Sequence, residues 1–256
     1  MTAAAGSFRL DGKRALVTGG SRGLGAAMAR ALAQAGADVA IHASQVEARD
    51  VAAAIAADCG VRTACVTADL SQGDQATRLV SDAASAIGPI DILVNNAGII
   101  RRSAAVEFSD ADWDEVVEIN LSSVFRLCRE AGKGMLARRS GKIINIASLL
   151  SFQGGIRVPA YAAAKGGIAQ LTKALANEWA SAGVNVNAIA PGYMLTDNTR
   201  PLVEDPVRYK DITARIPAGR WGDPGDLGGA VVFLASRASD YVHGHVLVVD
   251  GGWMAR

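Results

Sequence analysis

Short apolar runs alternate along this chain with longer alanine-rich stretches. The short runs are rich in β-branched residues and almost uninterrupted by polar ones, which is typical of strands buried on both faces. This pattern predicts seven strands: Arg14–Thr18, Asp38–Ile41, Arg62–Val66, Ile90–Val94, Lys142–Ile146, Val184–Ile189 and His245–Val249. The stretches between them predict six helices: Gly25–Ala35, Val46–Asp58, Gln75–Ala86, Asp110–Ala137, Tyr161–Ala180 and Asp226–Ala235.

The repeated alternation of strand and helix predicts an α/β protein. Parallel strands are joined by right-handed helical crossovers, so we expect a doubly wound, seven-stranded parallel sheet with helices on both faces. No Pro/Ser-rich linker or shift in composition divides the sequence. We therefore predict a single domain over residues 1–256.

Residues 193–222 interrupt this alternation late in the chain. The segment contains Pro201, Pro206 and Pro217 together with several charged residues. In a doubly wound sheet, an insertion at this point lies at the carboxyl ends of the strands, where ligands bind. We predict a lid over the substrate, and the alternative is a surface excursion with no part in binding.

The composition of the chain indicates a globular protein and bears on which partners it can bind. The chain has 256 residues, of which half are apolar and 20% are charged, and its formal net charge is +1. A large core is therefore expected, and neither nucleic acid nor a membrane is expected as a partner. The sequence has no secretory-signal pattern at its start and no run near the ~20 apolar residues of a membrane span. A soluble, cytoplasmic protein is expected.

The cysteines and histidines do not suggest a metal site. Cys59, Cys65 and Cys128 form no close pair, and the three histidines lie far from any cysteine cluster. We predict buried, reduced thiols and no metal.

A glycine-rich loop follows the first predicted strand and opens the first helix. It has the sequence Thr18-Gly19-Gly20-Ser21-Arg22-Gly23-Leu24-Gly25. Glycines permit a tight turn and a close approach of the backbone to a pyrophosphate, which the unpaired N–H groups at a helix start can bind. Because a strand precedes the loop and a helix follows it, we predict a dinucleotide site here.

Tyr161 and Lys165 are four residues apart at the start of a predicted helix, so their side chains share one face. A free phenol has a pKa of about 10, too high for an efficient acid or base at neutral pH. A nearby ammonium, aided by an oxidised nicotinamide, can lower that pKa. Ser148, after the fifth strand, can donate to a substrate oxygen on which negative charge develops.

These motifs together resemble the short-chain dehydrogenase/reductase family. The resemblance covers residues 10–256 and rests on the glycine loop, Asn95-Asn96-Ala97-Gly98, Asn120, Ser148, Tyr161-Ala-Ala-Ala-Lys165 and Pro191-Gly192. It implies a Rossmann fold and hydride transfer between a nicotinamide dinucleotide and a carbonyl or secondary alcohol. The implied catalytic residues are Asn120, Ser148, Tyr161 and Lys165, with Asn120 anchoring a water on a proton path.

The same resemblance implies a set of cofactor-binding residues. Asp69 caps the adenine side, Asn96 lines the pocket below the cofactor, Lys165 holds the nicotinamide ribose, and Thr196 reaches the nicotinamide amide. The full expected set is Thr18, Gly19, Ser21, Arg22, Gly23, Leu24, Gly25, Ser44, Asp69, Leu70, Asn96, Ala97, Gly98, Tyr161, Lys165, Pro191, Gly192 and Thr196.

The end of the second strand bears on the choice of cofactor. It has the sequence Ile41-His42-Ala43-Ser44, without the acid that would hold a ribose 2′-hydroxyl. Arg22 can instead pair with a 2′-phosphate, and Ser44 can add a hydrogen bond. NADP(H) is therefore favoured. NAD(H) is the alternative, with Arg22 as a solvated loop charge.

Cations near the predicted active site indicate an anionic substrate. Arg101 and Arg102 follow the Asn95–Gly98 motif, and Gln153 and Arg157 lie on the stretch before Tyr161. Arg102, Gln153 and Arg157 are expected to contact the substrate, together with Ser148 and Tyr161, because arginine binds carboxylates bidentately. Internal salt bridges or a subunit contact are the alternative for the arginines.

Longer strings refine the expected substrate. Those that begin at Asn95, Ser151 and Ile216 are similar to the 2-dehydro-3-deoxy-D-gluconate 5-dehydrogenases, a subgroup also described as 2-deoxy-D-gluconate 3-dehydrogenases. This implies a keto-deoxy sugar acid as substrate. A gluconate or 3-ketoacyl thioester substrate remains an alternative, as does a redox-cofactor-binding protein without turnover. The family also implies a homotetramer built on the two long helices and the last strand, although core packing would explain their apolar faces equally well.

Overall fold

The computed structural model describes residues 6–44 and 48–256. Seven strands form one sheet, in which every pairing is parallel and the order is β3-β2-β1-β4-β5-β6-β7. The doubly wound sheet predicted from the sequence is confirmed. The strands are β1 (Arg14–Val17), β2 (Asp38–Ala43), β3 (Thr63–Thr67), β4 (Ile92–Asn95), β5 (Gly141–Ile146), β6 (Val184–Pro191) and β7 (Val246–Val249).

Nine α-helices accompany these strands in the described part of the chain. They are α1 (Gly23–Gln34), α2 (Ala48–Cys59), α3 (Gly73–Ile87), α4 (Asp110–Val117), α5 (Ser123–Arg138), α6 (Pro159–Trp179), α7 (Arg200–Val203), α8 (Pro206–Arg215) and α9 (Gly228–Ala235). The predicted helix Val46–Asp58 begins in residues 46 and 47, which lie outside the described residues.

The sheet separates two apolar cores. Strand residues alternate between the faces, so that Leu16 and Leu93 point to one side while Val17 and Val94 point to the other. Helices α3, α5 and α6 cover the first face, and α1, α2 and α9 cover the second. Burial on both faces explains why the strands are nearly continuous runs of apolar residues.

The predicted long helix Asp110–Ala137 is interrupted. Helix α4 begins after Ser109, whose hydroxyl oxygen accepts the N–H of Asp112 at 3.1 Å. A π-helical turn, Glu118–Ser122, then separates α4 from α5. Such turns insert one extra residue into a helix and often occur at functional sites. The prediction of one unbroken helix was therefore wrong at the turn that carries Asn120.

Residues 193–222 contain α7 and α8 and pack on a small third core. Tyr193 and Trp221 meet edge to face at 5.4 Å, Tyr209 stacks on Trp221 at 5.5 Å, and Tyr193 lies 4.6 Å from Trp253 near the C-terminus. These aromatic contacts hold the insertion against the sheet and against the end of the chain. Its role as a lid stays a prediction, as does the single-domain assignment.

The described residues contain no helix that is long and apolar enough to cross a membrane. Among them there is also no group of three or more His, Cys, Asp or Glu side chains that could hold a metal ion. Cys128 is buried, whereas Cys59 and Cys65 are only partly buried, and all three are free thiols. The prediction that all three would be buried was wrong for Cys59 and Cys65.

Candidate active site

A cleft of about 440 Å³ opens at the carboxyl ends of the strands, where β1 and β4 lie side by side. The chain winds from β1 toward β3 on one side and from β4 toward β7 on the other. Doubly wound sheets bind ligands at this switch point. The lining comprises Gly19, Ser21–Gly25, His42–Ser44, Ala68–Leu70, Asn96–Ile99, Ile119, Ile146, Tyr161, Lys165 and Thr196–Asn198.

The glycine loop is folded so tightly that side chains would not fit. Gly19 and Gly23 have left-handed backbones, with φ of +62° and +54°. A Cβ atom on Gly25 would lie only 2.1 Å from the carbonyl oxygen of Gly19. The start of α1 therefore approaches the end of β1 closely, and its unpaired N–H groups point toward the cleft. These features fit the pyrophosphate of a dinucleotide.

Thr18 and Asn96 join the ends of β1 and β4. The hydroxyl oxygen of Thr18 accepts the N–H groups of Asn96 and Ala97, at 2.9 and 3.0 Å. The Asn96 amide donates to the carbonyl oxygens of Thr18 and Gly19, at 2.9 and 3.1 Å. Asn96 thus fixes the glycine loop, a role that the sequence did not reveal.

Tyr161 and Lys165 lie near the start of α6, and both line the cleft. The Lys165 Nζ is 5.7 Å from the centre of the Tyr161 ring and donates to the Ile146 carbonyl oxygen at 2.5 Å. Helix α6 begins with Pro159 in its first turn, where the missing N–H costs no hydrogen bond.

The pKa values of Tyr161 and Lys165 are determined mainly by burial. Burial raises the pKa of the Tyr161 phenol, while a hydrogen bond with Ser148 and the charge of Arg102 lower it by smaller amounts. Burial lowers the pKa of Lys165 to about 8. The protein groups alone therefore leave the phenol protonated at neutral pH. Lys165 is not among the groups that lower the pKa of Tyr161, so the lowering expected from its charge is absent in this arrangement.

Ser148 is held by its own turn. Its hydroxyl oxygen accepts the N–H of Leu150 at 3.2 Å, and its N–H donates to the Ser151 hydroxyl at 3.3 Å. The Ser151 hydroxyl in turn donates to the Lys165 carbonyl oxygen at 2.6 Å. Ser151 therefore positions the loop, and Ser148 is the serine whose hydroxyl reaches Tyr161.

Asn120 is completely buried beneath the cleft. Its amide oxygen accepts the N–H of Ile99 and its amide nitrogen donates to the Ile99 carbonyl oxygen, both at 2.8 Å. A Cβ atom on Gly98 would lie 2.9 Å from the Asn120 oxygen. The π-turn therefore brings Asn120 against the loop that follows β4, behind the residues that line the cleft.

The cations predicted to bind substrate are placed differently from one another. Arg101 forms a paired hydrogen bond with Glu115, at 2.9 and 3.0 Å, so it belongs to an internal salt bridge. Arg102 donates to the Asn198 carbonyl oxygen at 3.1 Å, and its positive charge lowers the pKa of Tyr161. Arg157 is exposed and has a left-handed backbone with φ of +63°, uncommon for a residue other than glycine. Gln153 lies on the same loop.

Most of the predicted cofactor residues line the cleft, but Thr18, Pro191 and Gly192 do not. Thr18 is buried below it, and Pro191 is buried in β6. Gly192 packs against Asp250, where a Cβ atom would lie 2.6 Å from the Asp250 Cα. Eight lining residues were not predicted: His42, Ala43, Ala68, Ile99, Ile119, Ile146, Asp197 and Asn198. Their positions after strands or beside predicted motifs were the available signal.

Comparison with known proteins places this site among oxidoreductases. Residues 19–254 match the family model described as enoyl-(acyl carrier protein) reductase. The chain is 53% identical to the 2-dehydro-3-deoxy-D-gluconate 5-dehydrogenase of Escherichia coli K12, with 98% of each chain covered. It is 52% identical to the enzyme of the same name from Bacillus subtilis 168, again with 98% of each covered.

A solved structure also superposes closely on this chain. It is a gluconate 5-dehydrogenase from Burkholderia cenocepacia J2315, in complex with NADP and tartrate. The two chains are 41% identical, the TM-score is 0.94, and 99% of each is covered.

We predict that Tyr161→Phe lowers kcat by at least about 100-fold, because the phenol would be lost as proton donor and acceptor. The dissociation constant for the nucleotide should change little, since the ring remains. Initial rates from nicotinamide absorbance and fluorescence titration measure the two quantities.

Tyr241→Phe is the matched control for this change, because Tyr241 is 99% exposed. It should leave kcat unaltered. Turnover by Tyr161→Phe near the level of the unsubstituted protein would refute the assignment of Tyr161.

Proposed function

The chain belongs to the short-chain dehydrogenase/reductase family of NAD(P)-dependent oxidoreductases, and from that premise we propose that its substrate is a keto-deoxy sugar acid. The activity proposed is that of a 2-dehydro-3-deoxy-D-gluconate 5-dehydrogenase. One observation carries the proposal: the tyrosine, lysine and serine of the predicted catalytic set converge beside a glycine-loop cleft. The near-complete coverage of relatives with this activity supports the choice of substrate.

Each residue has a defined task in the proposed reaction. A nicotinamide dinucleotide held in this cleft would supply the hydride acceptor for oxidation of the substrate C–H bond and the hydride donor for reduction. Tyr161 takes the hydroxyl proton in oxidation and returns it in reduction. Ser148 donates to the substrate oxygen as its negative charge grows. Lys165 places a positive charge near the ring, and this charge declines above the Lys165 pKa of about 8.

Arg102 is the cation best placed for the substrate carboxylate. It acts electrostatically on Tyr161, and its one hydrogen bond in the described structure, to Asn198, uses a single guanidinium nitrogen. Guanidinium can therefore still offer donors to a carboxylate. Gln153 and Arg157, on the loop before α6, complete the proposed set with Ser148 and Tyr161.

We favour NADP(H) over NAD(H) as the cofactor. Arg22 and Ser44 line the cleft, and no acidic residue follows β2 within the described residues up to Ser44. Arg22 is exposed and lies 3.5 Å from Asp197, so its present ion pair is weak and open to exchange for a phosphate. The related gluconate 5-dehydrogenase bound to NADP supports this choice.

A homotetramer is proposed as the working form. A shallow recess at the surface of the π-helical turn, α5 and α6 is lined by Leu121, Ser122, Phe125, Arg126, Arg129 and Leu171. Phe125 is 43% exposed there, which suits a subunit contact. The cytoplasmic location expected from the sequence stays a prediction.

Arg22→Ala should raise the dissociation constant for NADPH by about 10-fold, because a charge-assisted hydrogen bond is lost. The constant for NADH, which has no 2′-phosphate, should change less than about 2-fold. Fluorescence titration measures both. Arg78→Ala removes an exposed arginine outside the cleft and serves as control. Equal changes for the two nucleotides would contradict a role in cofactor choice.

Arg102→Ala should lower kcat/KM for 2-dehydro-3-deoxy-D-gluconate by about 10- to 100-fold, through the loss of a charged hydrogen bond. Affinity for NADPH should stay the same. Arg101→Ala is the matched control, since the neighbouring arginine is paired with Glu115.

The same assay with gluconate and an acetoacetyl thioester tests the substrate class. Faster turnover of either compound by the unsubstituted protein would overturn the proposed substrate. Equal losses in Arg102→Ala and Arg101→Ala would remove Arg102 from the site.

Phe125→Asp should convert the tetramer into smaller species, because a charge would be buried in the contact. Light scattering on the purified protein measures the mass. Val106→Asp changes a residue that is 96% exposed and should leave the mass unaltered. A monomeric unsubstituted protein would refute the proposal.

A further inference from the structure

His42, in β2, is tied to two other elements at the edge of the cleft. Its carbonyl oxygen accepts the N–H of Gly20 at 2.9 Å, and its Nδ1 accepts the N–H of Gly19 at 3.3 Å. Its Nε2 lies 3.0 Å from the carbonyl oxygen of Ala68, just beyond β3. Only 2% of the residue is exposed. His42 therefore connects the glycine loop with the loop that leads to Asp69.

These contacts define the protonation state of the imidazole. A backbone N–H can only donate and a carbonyl oxygen can only accept, so Nδ1 must be unprotonated and Nε2 must carry the hydrogen. A second proton on Nδ1 would face the N–H of Gly19, and that hydrogen bond would be lost. Burial lowers the pKa of His42, and the Ala68 carbonyl opposes this by a smaller amount.

The charged groups on the surrounding elements do not reverse this preference. Arg22 on the glycine loop and Asp69 after β3 are exposed to solvent. The charged side chains of the helices packed on β2 are exposed as well, namely Arg49, Asp50 and Asp58 in α2 and Asp74, Arg78 and Asp82 in α3, while Arg30 in α1 is partly buried and paired with Asp58. Cys65 of β3 is a partly buried thiol. Burial and the Ala68 carbonyl are the influences on the pKa of His42, so the neutral imidazole is the form that the fold accommodates.

The geometry points to His42 as a residue that positions the glycine loop for the nucleotide. Its neutral imidazole holds Gly19 and so orients the rest of the loop. The N–H groups of Gly19 and Gly20 already donate to His42, one to Nδ1 and the other to the carbonyl oxygen. Residues Ser21 to Gly25 line the cleft and have the N–H groups that remain for the pyrophosphate. The inference rests on the nucleotide binding proposed above. Protonation of the imidazole would release Gly19, so binding should weaken in acidic solution, below the range in which an exposed histidine titrates.

The test compares the unsubstituted protein with His42→Asn and His42→Leu. The asparagine oxygen can accept the N–H of Gly19 in place of Nδ1 but does not gain a proton, whereas leucine has no acceptor. Dissociation constants for NADPH and NADH are measured by fluorescence from about pH 4.5 to about pH 8. The range extends well below the ordinary histidine pKa of about 6.5, because burial lowers the pKa of His42. At the upper end, His42→Asn should bind within about 3-fold of the unsubstituted protein, and His42→Leu about 3- to 10-fold more weakly.

The pH profile separates positioning from packing. Binding to the unsubstituted protein should weaken as pH falls through the His42 pKa, and His42→Asn should lack this component. The 2′-phosphate of NADPH titrates near pH 6 in all three proteins, so the comparison between them cancels its effect. NADH, which has no such phosphate, should show the difference directly.

Two outcomes would overturn the inference: equal acid weakening in all three proteins, or binding to His42→Leu as tight as to the unsubstituted protein. Circular dichroism checks that each variant is folded. If a variant is unfolded, nitrogen NMR of the unsubstituted protein still decides, because a hydrogen on Nδ1 at neutral pH would contradict the proposal. Failure of the unsubstituted protein to bind either nucleotide would instead refute the proposed function.

Discussion

The adjacency of β1 and β4 is the constraint on which the rest of the structure depends. The two strands are neighbours in the sheet, although β2 and β3 separate them in the chain. Their ends are held together by two hydrogen bonds that Asn96 donates to Thr18, and Gly25 lets α1 start close to this point. The cleft lies between the loops that leave the ends of these two strands in different directions. Every other group of the site is positioned relative to it.

The burial of Tyr161 and Lys165 determines which of their protonation states the protein favours. Because Lys165 is buried, protonation of its amine is costly, and burial likewise makes ionisation of the Tyr161 phenol costly. The Lys165 ammonium donates its hydrogen bond to the Ile146 carbonyl oxygen and not to the Tyr161 phenol. Burial therefore favours the protonated phenol, which suits the donation of a proton to a carbonyl. Oxidation of an alcohol needs the phenolate, and an additional positive charge such as oxidised nicotinamide must supply what the protein groups do not.

The sequence predicted features that are local or periodic. The strands, the glycine loop and the Tyr161–Lys165 pair each depend on residues within a few positions of one another. The π-turn at Asn120 could not be predicted, because it depends on a hydrogen-bonded pairing with Ile99, 21 residues away. Arg101 and Arg102 could not be told apart for a similar reason: Glu115 and Asn198, which separate their roles, lie on different elements. His42 was noticed only as part of a strand end that lacks an acid, since its partners Gly19 and Ala68 lie on the loops that follow two other strands.

The insertion at residues 193–222 contacts both halves of the cleft through neighbouring residues. Asp197 pairs with Arg22 of the glycine loop, and the Asn198 carbonyl oxygen accepts from Arg102 near Tyr161. Both contacts use arginines proposed to bind anions, one the 2′-phosphate and the other the substrate carboxylate. A ligand anion that engages either arginine competes with a contact of the insertion, whose aromatic contacts are made by Tyr193, Tyr209 and Trp221 and not by Asp197 or Asn198. If the insertion acts as a lid, cofactor and substrate would therefore bias its position through the same two residues, which couples the two binding events without any contact between the ligands.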